Sequence, residues 1–138
     1  LENDGVNTIQ RWLMRVGHSK ELASVPLTDT ERTAHLPEII KNIVARLRQT
    51  RALEAIAIPS PAAVSHGQLR FRQGYTAPMM VQESRILQVS IFETIQRNLS
   101  RVDFSLLLPD VMILADEVDS QLAQSIDSFL KMQRGIMA

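Results

Sequence analysis

The sequence predicts an all-α protein: one domain over residues 1–138, built as a bundle of five or six helices. Three observations carry this. Apolar residues recur every three or four positions along nearly the whole chain, the spacing of one helix face. Glycines and prolines punctuate those runs where helices stop and start. No stretch reads convincingly as a strand, and no tandem repeat or low-complexity tract interrupts the pattern.

Val6, Ile9, Trp12, Leu13 and Val16 form the first stripe, stopped by Gly17. After Pro26, Thr28 and Glu31 have capping-box spacing, so a short helix starts there. Pro37 suits the first turn of the next helix, whose apolar face is Ile39, Ile40, Ile43, Val44 and Leu47. In "IAIPSPAA" (56–63) two prolines flank a serine, and each restricts the residue before it. This break separates helices rather than domains, because neither side can bury a large core alone. A third helix is expected from about Ala62 to Gln73, with Gly74 as its stop, and a fourth from about Pro78 to Leu99. The last runs from about Asp110 to Arg134, with Pro109 at its start or at a kink. Its stripe is Val111, Leu114, Val118, Leu122, Ile126 and Phe129.

Composition narrows the function. The chain is 45% apolar, ordinary for a folded domain. Fifteen basic and fifteen acidic residues cancel, which gives no general attraction to nucleic acid or anionic membrane. One Trp, one Tyr and four Phe supply no array for stacking single strands. With no cysteine there is no disulfide, thiol nucleophile or thiolate metal site, which fits a cytoplasmic protein. No apolar run approaches the roughly 20 residues of a membrane span, and no signal peptide is visible. The chain starts at Leu1 rather than Met, and is read as part of a longer protein.

One stretch is crowded with hydrogen-bonding side chains: "HGQLRFRQGYTAPMMVQESR", residues 66–85. At about 100° per residue, His66, Leu69, Arg70 and Gln73 share a face of the third helix, while Val64 and Phe71 take the other side. That helix therefore reads as packed on both sides. In the fourth helix Met79, Met80, Ile86, Leu87, Ile91, Phe92, Ile95 and Leu99 cover more than half the circumference, and Glu83 and Ser84 fall inside that arc. A carboxylate there must be paired, protonated or facing a cavity. Glu83 is expected to meet Arg70 or His66 across a helix hairpin closed by "GYTAP". The candidate cluster is His66, Arg70, Gln73, Tyr75, Glu83, Ser84 and Arg85. Two readings fit it: a structural network that fixes helix packing, or a small cavity that binds a ligand or senses pH.

The same stretch, "AVSHGQLRFRQGYTAPMMVQESRIL", preceded by "RTAHLPEIIKNIVARL", resembles the N-terminal sensing domain of RsbRD-type regulators. The features that carry it are His66-Gly67, Arg70, Gln73-Gly74-Tyr75, Glu83, Arg85, the run His35–Ile40 and the late "DEVDSQL" at Asp116–Leu122. Such domains precede STAS domains, in relatives of the stressosome protein RsbR, or histidine kinase modules. The resemblance implies a non-catalytic, cytoplasmic sensory domain, paired in a homodimer, with an output domain in the same chain. It implies a globin-like fold without haem, no cofactor, and no established ligand or catalytic residue.

Other readings have less to rest on. No HExxH, GxSxG, phosphate-cradling glycine loop or paired-carboxylate motif marks an enzyme. The acidic "DEVD" at 116–119 reads as solvated helix face rather than a metal site. "SHGQLR" at 65–70 shares Ser65, His66, Leu69 and Arg70 with the phosphoacceptor box of histidine kinases. The acidic residue that belongs beside the histidine is replaced by Gly67, and no threonine-proline follows. Histidine phosphotransfer through His66 is thus the alternative function. Haem ligation by His35 or His66 rests on position alone. Finally, Ile113, Leu130 and Met132 lie off the main stripe of the last helix, apolar surface that a second copy of the domain is expected to cover.

Overall fold

The computed structural model describes residues 4–49, 60–101 and 104–137. They fold as an all-α bundle with no strand among them. The helices are α1 (Gly5–Gly17), α2 (Lys20–Ala23), α3 (Asp29–Thr33), α4 (Leu36–Gln49), α5 (Pro61–Arg72), α6 (Ala77–Arg97) and α7 (Phe104–Met137), with a single 3-10 turn at Leu99–Arg101. The two short ones are each about one turn. α2, which apolar periodicity does not announce, starts on Ser19, whose hydroxyl accepts from Leu22 N. α3 has its capping box: Glu31 N donates to Thr28 Oγ1 at 3.1 Å, and Thr28 N donates to Glu31 Oε1 at 2.9 Å.

The core is a cluster drawn mainly from α1, α4, α6 and α7, with Trp12, Leu36, Ile43, Met80, Ile91 and Leu114 almost wholly buried, and Phe71 of α5 packed against its edge. α1 lies along α6, held by a buried Thr8–Thr94 hydroxyl pair and by Arg11 and Arg15 on Glu93. α5 lies along α7. Their contact is close because it is made of small residues. Ser125 Oγ donates to Ala63 O at 2.8 Å, and Ser128 Oγ donates to Val64 O at 2.8 Å. A Cβ built on Gly67 collides with the Ser125 carbonyl and the Ser128 hydroxyl.

Between α5 and α6 the chain turns tightly. Gly74 sits at φ +86, the left-handed region glycine enters without strain. Tyr75 N donates to Arg70 O at 3.0 Å and Gly74 N to Phe71 O at 3.2 Å, the two bonds of a Schellman motif. Thr76 then caps α6 by accepting from Met79 N. The hairpin that the sequence led us to expect has this turn, but not two helices packed along their length. α5 follows α7, α6 follows α1, and a wedge opens between them.

Several sequence expectations are corrected. Leu69 and Val64 are each 39% exposed, so α5 is not packed on both sides. Its buried stripe is Ala63, His66, Gly67 and Arg70, too small and polar for an apolar count to reveal. α7 begins at Phe104, six residues before the expected start, and carries Pro109 inside it. A proline near a helix start removes only one backbone bond, and on either side of it Leu107 and Val111 line an apolar groove with Phe92 and Ile95. α6 ends at Arg97 rather than Leu99. Ile113 is fully buried within its own chain and adds no apolar surface, while Leu130 and Met132 are half-buried. Glu117 of the acidic run is buried on Arg46 at 3.4 Å rather than solvated. The break at 56–59 lies outside the described residues.

The close α5–α7 crossing makes a test. Gly67→Ala forces the helices apart and is expected to cost at least about 1–3 kcal/mol in urea denaturation. Gly17→Ala, where an added Cβ meets nothing, is the control and is expected to leave stability unchanged or slightly raised. Equal stabilities for the two variants would reject the packing role of Gly67.

Candidate functional site

The wedge between α5 and α6 is filled by long polar side chains. Arg70 is fully buried and reaches across from α5 to Glu83 on α6, itself 3% exposed. Its Nε donates to Glu83 Oε1 at 3.3 Å, and its Nη2 lies 3.2 Å from Oε2. The remaining donors are also used. Nη2 donates to Arg32 O at 2.7 Å, and Nη1 to Gln73 Oε1 at 2.6 Å and Glu31 O at 3.4 Å. Those two carbonyls belong to the last turn of α3, where a cation is favoured. The guanidinium also lies 4.9 Å from the centroid of the Tyr75 ring. That contact joins the positions a Schellman turn brings together, so the turn itself positions Arg70 against Tyr75.

Glu83 has more partners than Arg70 alone. Tyr75 Oη donates to Oε2 at 2.8 Å, and His66 Nε2 lies 3.3 Å from Oε1. Trp12 Nε1 donates to the Glu83 backbone carbonyl at 3.2 Å and ties α1 to the same point. The sequence alternative, Arg70 or His66, resolves as both.

His35, at the junction of α3 and α4, completes the centre. Its ring stacks on His66 with centroids 3.6 Å apart and planes 13° from parallel. Trp12 meets His35 edge-on at 5.8 Å. Sequence reading placed His35 in a motif but not in this cluster, because thirty-one residues and an interhelical break separate it from His66. Gln121 of α7, within the "DEVDSQL" run, was likewise not placed in the cluster. It is 4% exposed, its Nε2 donates to Glu117 Oε2 at 3.0 Å, and its Oε1 has no hydrogen-bond partner. A buried acceptor without a donor is unusual.

His35, His66, Glu83, Ser84, Gln121 and Ser125 line a cavity of about 30 Å³, with apolar side chains such as Trp12, Met80 and Leu87 making up the rest of its wall. That is room for a water or an ion, not for a haem macrocycle. Of the predicted cluster, His66, Arg70, Gln73, Tyr75 and Glu83 are in mutual contact, and Ser84 lines the cavity. Arg85 is exposed, about 200° round α6 from Glu83, and takes no part.

Burial and pairing set the charges. Burial would raise the Glu83 carboxyl, but the His66 hydrogen bond, the Arg70 charge and Tyr75 together hold it below its ordinary value of 4.5. It is a carboxylate. Burial lowers His66 more than Glu83 raises it, so this imidazole is neutral and donates from Nε2. Burial, with His66 and Arg70 nearby, holds His35 well below 6.5. Tyr75 is pushed up by burial and by the Glu83 charge, and keeps its proton.

Two predictions follow from this centre. Glu83→Gln leaves the Arg70 charge buried without its counter-charge and is expected to destabilise by about 3–5 kcal/mol, whereas Arg70→Met combined with Glu83→Leu recovers most of that loss. A urea-denaturation cycle in which the double variant loses the sum of the two singles would refute the pairing. The second concerns pH. The folded histidines resist protonation while unfolded ones take up protons below about 6.5. Stability is therefore full above that pH and falls as the pH drops, by up to about 1.4 kcal/mol per unit for each histidine. Glu83 adds to the loss below 4.5, where its depressed folded value is crossed. Identical urea midpoints at about pH 7.5 and about pH 5.5 would contradict this linkage.

Comparison of the chain with protein-family models, with curated proteins and with solved structures finds no match.

Proposed function

We propose that the chain is a non-catalytic sensory domain of a bacterial signalling protein, of the kind its motifs resemble in RsbRD-type regulators. In this reading it is cytoplasmic, works as a homodimer, and passes its signal through α7 to a kinase or STAS output domain in the same chain. One observation carries the proposal. The cavity lined by His35, His66 and Glu83 is closed on its other side by Val118, Gln121, Leu122 and Ser125 of α7. A change in the occupant or the charge of that cavity acts directly on the helix that leads out of the domain.

The arrangement favours binding over catalysis. Both Glu83 oxygens and the Arg70 donors are engaged, so neither stands ready as a base or an anion clamp. Phosphotransfer through His66 is disfavoured by its burial and by the His35 ring stacked on it, since attack on a nucleotide phosphate needs an accessible nitrogen. Among the described residues no helix is long and apolar enough to cross a membrane.

The test uses the chain itself. Sedimentation at micromolar concentration is expected to give twice the mass of 15.5 kDa. The chain has no cysteine, so Gln133→Cys places one spin label per protomer on an exposed position of α7. The distance between the two labels is expected to change when Glu83→Gln is added. An unchanged distance in a folded dimer would reject the sensory coupling, and a monomer would reject the paired arrangement.

A further inference from the structure

We propose that His35, His66, Glu83 and Gln121 form a binding site for one first-row divalent transition-metal ion. The nitrogens of His35 and His66 and a carboxylate oxygen of Glu83 all lie within 4.8 Å of one another. Metal–nitrogen and metal–oxygen bonds of about 2.0–2.2 Å place neighbouring donors roughly 3 Å or slightly more apart. The 3.3 Å between His66 Nε2 and Glu83 Oε1 already meets that spacing, and ligation replaces the hydrogen bond between them, the imidazole proton moving from Nε2 to Nδ1. Gln121 supplies the independent sign of a missing occupant. It lines the same cavity, its Oε1 has no partner, and its amide is oriented by the bond to Glu117.

The surroundings suit an ion as well. Glu83 is held by Tyr75 and Arg70, the outer bonds that fix a ligating carboxylate. The rest of the wall is mostly apolar. On the outer side of the two imidazoles lies a groove of about 220 Å³ with Glu31 and Glu38 among its lining, an acidic route inward for a cation. Two imidazoles with a carboxylate and an amide oxygen favour zinc, iron, cobalt or nickel over magnesium or calcium. Arg70 already offsets Glu83, so the bound ion's charge is not neutralised by this carboxylate alone. The imidazole planes are 13° from parallel, so their lone pairs converge only when one ring tilts. His35, part-buried at the junction of α3 and α4, is the ring placed to do so.

This inference rests on the sensory reading for what the ion signals, and on the geometry alone for where it binds. The experiment addresses the binding. Metal-free chain is titrated with Co²⁺, followed by visible d–d absorption and by quenching of Trp12, the only tryptophan and edge-on to His35. One Co²⁺ per chain, displaced by Zn²⁺, is expected. His66→Ala is expected to abolish binding. Gln121→Leu preserves the packed volume and is expected to remain folded by circular dichroism while losing about 10- to 100-fold in affinity. His18→Ala, exposed and outside the cluster, is expected to bind as the parent does. No stoichiometric Co²⁺ binding overturns the proposal. So does an affinity unchanged in folded Gln121→Leu, or lost equally in His18→Ala. If Co²⁺ fails to bind while Glu83→Gln still moves the α7 labels, the metal is rejected and the sensory reading stands.

Discussion

The buried ion pair of Arg70 and Glu83 is the constraint on which the rest of this fold depends. Two helices leave a tight turn and diverge, each toward a different partner. The wedge between them is filled by an arginine from one side and a glutamate from the other. Taking both charges out of water is costly, and their mutual attraction offsets that only when every donor and acceptor is satisfied. The chain meets this condition with parts drawn from elsewhere. The end of α3 offers two carbonyls, Gln73 an amide oxygen, Tyr75 a hydroxyl and His66 a ring nitrogen. The short α3 and the glycine turn are thus positioned by the needs of one guanidinium.

That condition also explains which parts of the fold were legible in the sequence. The class and most helices were legible because apolar spacing reports burial wherever burial is apolar. The capping box at Thr28 and the stop at Gly74 were legible because their chemistry is local. Glu83 stood out because a carboxylate inside an apolar arc cannot remain alone. By contrast, the buried face of α5 was misread. Its contact residues are Ala63, His66, Gly67 and Arg70, and Leu69, the most apolar residue nearby, faces outward. Close helix packing selects for smallness there, and smallness leaves no periodic apolar signal. α7 was read too short because a proline in its first turns looks the same in sequence whether it starts the helix or sits within it.

His35 and Gln121 were beyond sequence reasoning for a different reason. Each belongs to the centre only through tertiary placement, His35 from a helix junction and Gln121 from the middle of α7. In its own segment each looks like an ordinary polar residue. The acidic run at 116–119 misled in the same way. Alternating exposure around α7 leaves Asp116 half in solvent and buries Glu117 on Arg46 from α4. Polar residues in helices announce their pairing only when the partner lies within a turn or two.

In the proposed sensory reading, the same packing is the route from the polar centre to α7. His66, which touches Glu83 and His35, is followed directly by Gly67, which touches the backbone of Ser125 on α7. The step from the polar centre to the long helix is one residue. Because that contact is with backbone, with only the short Ser128 hydroxyl beside it, a small displacement of α5 finds little side-chain freedom to absorb it. It passes to α7 as a shift of the whole backbone. Gln121 and Ser125, one turn apart, then place the cavity and the crossing on the same face of α7. An occupant that pulls on Gln121 and a movement of His66 therefore act on a single stretch of helix. This gives the glycine beside His66 a physical reason: the space is occupied by α7, and any side chain there would push the two helices apart.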